Sequence, residues 1–572
     1  MKKTHRILAL LLAMVMVLCL AACGGESASQ SAPAESAPSA ASAPVEEAPA
    51  PEAAPEPPEE PSVVEESIVE EPQEPEEPEV VIEYPLFEET KTYSIWLGTA
   101  PDLTEVVYNM DEFVIFRELE KITNVTWEST MVSFMAEAEQ FQLMVAGGDY
   151  TDVVCKAVDN YTGTVDQAIE EEFLIDLAPY IGENMPNLTK WFKEYPDLEK
   201  QIKSDGGAIG AFPKIYAEPS DISSGGMIRA DWLSDLGLEE PKSFDDLENV
   251  LNEFRDKKGV EKPLVIAMPT GVQSELLSGY NISGGYYQVD GEVRYGAIQP
   301  EFKDYLTMMN KWYTEGLLND NFLSNQYESL VDTSPVLNGE CGVWYGTAAQ
   351  AIATMISSAA DPNMKITGVT NVTVDGSQAH VGESGSMFDS HLWSITTVCE
   401  EPEMICRYID YVYSEEGILL ANYGVEGETF TYVDGTPKLT DLVLNNPNYS
   451  YGAAMNIFVC DRMTPAPFVI DENRVRADYI QDQLDAIEVW NNSNDGLYNM
   501  PRTGVNLTVD ESEEYNALYT DIETYMDENI VKFVVGDKPL DEFDAYVDTM
   551  IQMGIEDCIA IEQAAYDRYV NS

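Results

Sequence analysis

The chain has 572 residues, with 31 Lys and Arg against 102 Asp and Glu, a formal charge of −71. A polypeptide this negative repels phosphate backbones and anionic headgroups, which argues against nucleic acid or an acidic membrane surface as a partner. Of its three histidines, His5 lies in a leader-like N-terminus, so His380 and His391 alone remain for imidazole chemistry.

Lys2, Lys3 and Arg6 precede an apolar run from Ile7 to Leu20 and then the small residues Ala21 and Ala22. This is the layout of a secretory signal, and the run is shorter than the roughly 20 apolar residues that span a bilayer. Leu20-Ala21-Ala22-Cys23-Gly24 resembles the lipobox of bacterial lipoproteins. The resemblance implies a signal peptide over 1–22 and a lipid, with palmitate among its acyl chains, on Cys23. It places the chain on the outer face of the cell membrane, held there through that lipid only. An ordinary signal that happens to end near a Cys is the alternative.

Residues 23–89 are almost wholly Ser, Ala, Pro and Glu, without Lys or Arg. Such a stretch has too little apolar surface to offset ordering entropy, and it reads as a disordered stalk reaching at most on the order of 200 Å. Setting aside the three basic residues of the leader and the nineteen Glu of the stalk leaves −55 for the remainder, residues 90–572. The acidity therefore belongs to the folded part as well, where it serves solubility and would repel anionic sugars unless basic groups line the site. Cys155, Cys341, Cys399, Cys406, Cys460 and Cys558 are widely and irregularly spaced with no C-x-x-C pair. That pattern signals neither zinc nor a disulfide scaffold, and buried free thiols are expected, with the disulfide state left open.

Tyr93–Leu97 alternates and is aromatic, a first strand. Phe113, Phe116, Leu119 and Ile122 then repeat at helical spacing, Val125–Trp127 reads as a second strand, and a short helix with Phe141, Met144 and Val145 stops at Gly147-Gly148 before a third strand, Asp152–Cys155. Strand, helix, strand, helix, strand means a parallel sheet whose carboxyl edge is the usual place for a ligand. Further on, Ser243 with Asp246 opens a helix whose apolar face is Leu247, Val250, Leu251 and Phe254, and Leu264–Ala267 is a buried strand. From Asp541 an amphipathic helix carries Phe543, Val547, Met550 and Ile551, breaks at Gly554, and resumes with a core-facing stripe at Ile559 and Tyr566.

GGDYTDVV, FLIDLAPYI, AIGAFPKI and GGMIRADWLSDLGLEEPKSFDDLENVLNEF follow one another in the first half. Later come LNGECGVWYG, LLANYGVEGETFTYVDGTPKLTD and FVVGDKPLDEFDAYVDTMIQMGIEDCIAIEQAAYDRY. In this order, over Tyr93 to Tyr569, the strings resemble the extracellular solute-binding lipoproteins, family 1 and carbohydrate-type, of bacterial ABC importers. The resemblance implies an α/β fold of the type II periplasmic-binding-protein kind, with two discontinuous α/β lobes joined by crossing hinge segments. Lobe 1 is expected at about 90–215 and 385–435, lobe 2 at about 216–384 and 436–572, with crossings near Phe212–Glu218, Gly382–Asp389 and Asp434–Asn445. It further implies a monomeric receptor without cofactor that holds a carbohydrate, an oligosaccharide in the main reading, between its lobes. Delivery would be to ABC permease subunits served by a separate ATPase.

A sugar site needs aromatic faces for C–H surfaces and acids, amides or Arg for hydroxyls, because each buried hydroxyl left unpaired costs about 1–3 kcal/mol. Candidates at strand ends are Asp159, Asn160 and Tyr161, where sugar-binding relatives often place an acid, and Trp344 with Tyr345, one of which should face the cleft. Tyr286 and Tyr287, then Asp389, His391 and Trp393, then Trp490 and Tyr498 complete the set, with Gln273, Tyr216 and Glu218 weaker. Arg229 is expected in a salt bridge within its lobe. Each position also has a structural reading as a cap, core ring or hairpin. No G-x-S-x-G elbow, Walker A loop, H-E-x-x-H or complete calcium loop occurs. The competing readings are a receptor for a peptide or other non-sugar solute, and a surface glycan hydrolase or lyase built on a carboxylate pair, which linear sequence leaves open. No metal ligands are located, although some relatives that take acidic sugars hold calcium.

Overall fold

Tyr93, Ile95, Trp96 and Leu97 are all buried, which alternation alone does not require; both faces of their strand are covered. The computed structural model describes residues 80–101, 103–104, 106–266, 275–320, 333–501 and 503–571. The leader, Cys23 and most of the stalk lie outside these, as does Gln273. Strands β1 (Lys91–Thr99), β2 (Val125–Ser133) and β3 (Val153–Cys155) are parallel, joined by helices Val114–Thr123 and Glu137–Gly147. Strand β4 (Phe212–Tyr216) and the much later β11 (Phe388–Ile395) and β14 (Val469–Ile470) complete a six-stranded sheet in the order β14-β4-β11-β3-β1-β2. Only β11 runs antiparallel to its neighbours in that sheet.

A second sheet, in the order β10-β5-β9-β6, is built from β5 (Ser224–Arg229), β6 (Leu264–Val265), β9 (Val343–Ala348) and β10 (Ile366–Val369). Beside it lie a hairpin of β7 (Tyr286–Val289) and β8 (Glu292–Tyr295) and the terminal helices Val509–Val535, Phe543–Met553 and Ile555–Asn571. A further hairpin, β12 (Phe430–Val433) with β13 (Thr436–Leu439), stays with the first sheet through Phe430, which packs on Tyr423. Each sheet has its own core: Trp127, Phe116 and Trp393 in the first, Trp312, Tyr305 and Phe254 in the second.

Local chemistry explains the element ends. Ser243 Oγ accepts from the Asp246 amide while Asp246 Oδ2 accepts from the Ser243 amide, so two orphan donors of helix Phe244–Glu253 are satisfied reciprocally. Gly554, at φ 104°, supplies the left-handed turn that separates the last two helices. All six described cysteines are free and buried. Arg229 is fully buried and pairs with Asp231 at 2.6 Å and Asp361 at 3.0 Å while its guanidinium lies 4.4 Å from the Trp232 ring.

The chain passes between the sheets three times, over 217–223, 370–387 and 471–480. The first two fall near the expected places. The third does not. Asp434–Asn445 lies in and after the β12–β13 hairpin, and β14 at 469–470 still pairs with β4, so 436–470 packs with the first sheet and not the second. The crossings are laced together: Arg476 holds Asp221 through two bonds of 2.6 and 2.7 Å, Asn491 Nδ2 reaches Asp221 at 2.8 Å, and the Ser220 amide donates to Ser386 O at 3.0 Å. Far along the chain, Arg568 of the last helix meets Asp205 beside the first core at 2.5 Å.

The stalk boundary also moves. Tyr84 donates to Arg407 O at 3.0 Å and meets the Tyr411 ring edge-on, and Leu86 and Phe87 pack on the first core. These residues bind the chain to the lobe from Tyr84 onward, five residues before the expected limit at Glu89.

Candidate groove between the sheets

The carboxyl ends of β1, β2, β3, β4 and β14 and the amino end of β11 form one edge of the first sheet. Because β4 leaves from that edge into the first crossing, the edge faces the second sheet, the position where α/β sheets usually take ligands. Six strands at about 4.8 Å spacing make it roughly 24 Å wide.

Clusters of polar and aromatic groups stand along it. Beyond β2, Phe134 and Met135 are exposed, and Lys156 Nζ lies 4.8 Å from the Phe134 ring centroid. Glu137 folds its carboxylate over Gly98, where any Cβ would lie 2.5 Å from Glu137 Cδ, and pairs with Lys156 at 3.9 Å. Burial raises the Glu137 carboxyl against the pull of Lys156. Asp159 lies on the short helix Ala157–Asn160. Its side chain is exposed to solvent, yet surrounding protein raises its pKa against Lys156, the combination expected of a recess wall.

At the middle of the row Asp389 accepts from Tyr216 Oη at 2.8 Å and Ser390 Oγ at 2.7 Å, and faces Lys214 at 3.5 Å. Burial works to raise this carboxyl, but Lys214 and the two hydroxyls outweigh it and hold it below the usual range. Lys214 is itself buried, which lowers its pKa, and donates to Arg462 O at 2.7 Å. His391 packs on the Phe388 ring, and burial drives its pKa down to about 4.

At the β14 end, Arg462 Nη2 lies 3.8 Å from Glu472 Oε1. Among the described residues, Arg462 Nε, Glu472 Oε1 and Arg474 Nε have no hydrogen-bond partner. Arg462 keeps a third of its side chain exposed, and Glu472 is almost wholly buried. Tyr479 and the exposed Tyr451 flank this corner, both pushed to about 12 by burial and neighbouring carboxylates. The facing side is rich in amides: Asn494 Nδ2 donates to Glu383 O, Asn499 Nδ2 to Gly382 O and Asn371 Nδ2 to Ser278 Oγ, at 2.7 to 2.9 Å. Among the described residues no three His, Cys, Asp or Glu groups converge to hold a metal ion.

Of the residues read from the sequence, Asp159, Asp389 and His391 meet on this row, with Asn160 beside it donating to Lys156 O. Tyr161 turns away to bond Glu171 at 2.6 Å and stack on Phe173. Trp344 and Tyr345 are both buried, because the second sheet is covered on its two faces, so neither presents the sugar platform that alternation suggested. Trp393 is a core ring donating to Pro465 O, and Trp490 another, donating to Gly226 O. Tyr287 is in the second core, Tyr286 packs among Tyr295, Tyr515 and Tyr519, and Tyr498 lies against His380. Glu218 is tied to Arg476 at 3.2 Å in the crossings. Lys156, Arg462, Glu472, Tyr451 and Tyr479 went unread. Lys214 alone left a signal, a charge inside the apolar string Ala-Phe-Pro-Lys-Ile.

Two sheet-based lobes, three laced crossings and a polar groove between them define a two-lobed binding protein. The chain belongs to the family described as bacterial extracellular solute-binding protein, whose model matches residues 100–418. The polygalacturonan/rhamnogalacturonan-binding protein YtcQ of Bacillus subtilis is 26% identical over 328 residues, 54% of this chain and 62% of that one. The fructooligosaccharide ABC transporter substrate-binding protein FusA of Streptococcus pneumoniae is 23% identical over 524 residues, 85% and 92% of the two chains. An HMO-binding, ABC-transporter-associated solute-binding protein of Bifidobacterium longum infantis superposes with a TM-score of 0.69 at 20% identity, over 84% of this chain and 99% of its own. The fold is accordingly of the type II periplasmic-binding-protein kind.

Proposed function

We propose that the chain is the lipid-anchored receptor of an ABC importer, binding a carbohydrate of several units in the groove at the carboxyl edge of the first sheet. The observation that carries this is the placement of Phe134 and Lys156 at one end, Asp389 in the middle and Arg462 and Tyr451 at the other end of a six-stranded edge about 24 Å wide. A compact solute needs one pocket; a row of this width suits a chain of rings with many hydroxyls. YtcQ and FusA, by their names, also take glycans. Closure of the lobes about the three crossings would be the state read by the permease, selected by its higher affinity for ligand. Signal peptide 1–22, acylated Cys23 and the Ser/Ala/Pro/Glu tract after it would tether a monomeric module to the outer face of the membrane, with ATP hydrolysis left to a separate subunit. The row has no role here beyond binding: the receptor returns its cargo intact.

A thermal-shift panel of mono- and oligosaccharides against the full chain, with chromatography of the recovered ligand, tests this. A true ligand stabilises by mass action, about 2.7 kcal/mol at a hundredfold excess over the dissociation constant. Shortened products indicate a hydrolase or lyase, and stabilisation by peptides alone indicates a peptide receptor.

A further inference from the structure

The groove is charge-paired, and this bears on which glycans it admits. Each cation along the row has a carboxylate of its own: Lys156 with Glu137, Lys214 with Asp389, Arg462 with Glu472, at 3.9, 3.5 and 3.8 Å. Asp159 and Asp478 are additional carboxylates with no cation within ion-pair distance among the described residues, so the row carries an excess of negative charge. The opposite side adds Asp495, paired to His380 at 2.9 Å. No Lys or Arg occurs there in 275–281, 346–350, 370–373, 380–387 or 494–499.

The corner at Arg462 is specific in a second way. Among the described residues Arg462 Nε and Glu472 Oε1 have no hydrogen-bond partner, and Arg462 Nη2, at 3.8 Å from that oxygen, is too far away to satisfy it. A hydroxyl both donates and accepts, so it can serve the two together. A carboxylate or sulfate only accepts: it could serve Arg462 while lying against Glu472.

We infer that the groove takes an uncharged oligosaccharide and rejects glycans bearing carboxylates or sulfates, the neutral hydroxyl being the group that matches adjacent donor and acceptor in a net negative recess. The inference rests on the carbohydrate reading above. Calorimetry of the full chain against neutral and uronate-containing oligosaccharides of matched length, at low and high salt, tests it. The neutral chain should bind at least tenfold more tightly, with an affinity that changes less than twofold with salt. The exposed pair Asp159→Asn and Asp478→Asn, made together and checked by thermal melt, should narrow the gap. Tighter binding of the uronate chain, weakened by salt, overturns the inference and leaves the carbohydrate reading standing. Binding of neither removes both.

Discussion

Arg462 and Glu472 face one another at 3.8 Å across the end of β14, each with a side-chain atom that has no partner among the described residues. Burial raises the Glu472 carboxyl against the pull of Arg462, so the pair is held apart at a cost that a bound hydroxyl would offset. Arg462→Met, made together with Glu472→Gln so that no lone carboxylate stays buried, should weaken ligand by ten- to a hundredfold, about 1.5–3 kcal/mol for a hydrogen bond to a charged group. Calorimetry reads the affinity, and an unchanged unfolding midpoint shows that the lobe is intact.

Asp159 and Trp344 should behave oppositely. Asp159 is exposed on a four-residue helix, so Asp159→Ala should lower affinity and leave the melt in place. Trp344 is 0% exposed, and Trp344→Ala should cost about 3–5 kcal/mol of stability in a urea titration, with ligand affinity of the folded fraction preserved.

That contrast shows what the sequence does and does not disclose. Period-two alternation locates Tyr93–Leu97 as a strand, and Ser243 with Asp246 locates a helix start, because both are local effects. Alternation cannot say whether a strand has one covered face or two, and for that reason Trp344, Tyr345 and Trp393 looked available. Arg462 and Glu472 flank the two-residue β14, which carries no period at all, and only the pairing of β14 with β4 shows that the third crossing lies at 471–480.

His391 supplies a pH signature. Its folded pKa is depressed to about 4 by burial, below the ordinary 6.5, so the stability it contributes is fully present above about 6.5 and is lost as pH falls toward 4. The slope cannot exceed about 1.4 kcal/mol per pH unit. Thermal melts of the wild type and His391→Gln at pH 7 and pH 4.5 should show a smaller acid loss in the variant.

The reciprocal cap at Ser243 and Asp246 opens helix Phe244–Glu253 of the second lobe and is no part of the row on the first sheet. Ser243→Ala should cost about 1 kcal/mol in urea unfolding, with ligand affinity unchanged.

Hydrogen exchange of the full chain, with and without a saturating neutral oligosaccharide, asks most directly where cargo lies. Slowed exchange is expected at 133–137, 156–160, 388–391 and 460–479 on one side and at 380–384 and 494–499 on the other, with the β7–β8 hairpin and the three terminal helices unchanged. Protection confined to that hairpin and those helices, with none along the edge of the first sheet, would contradict the account.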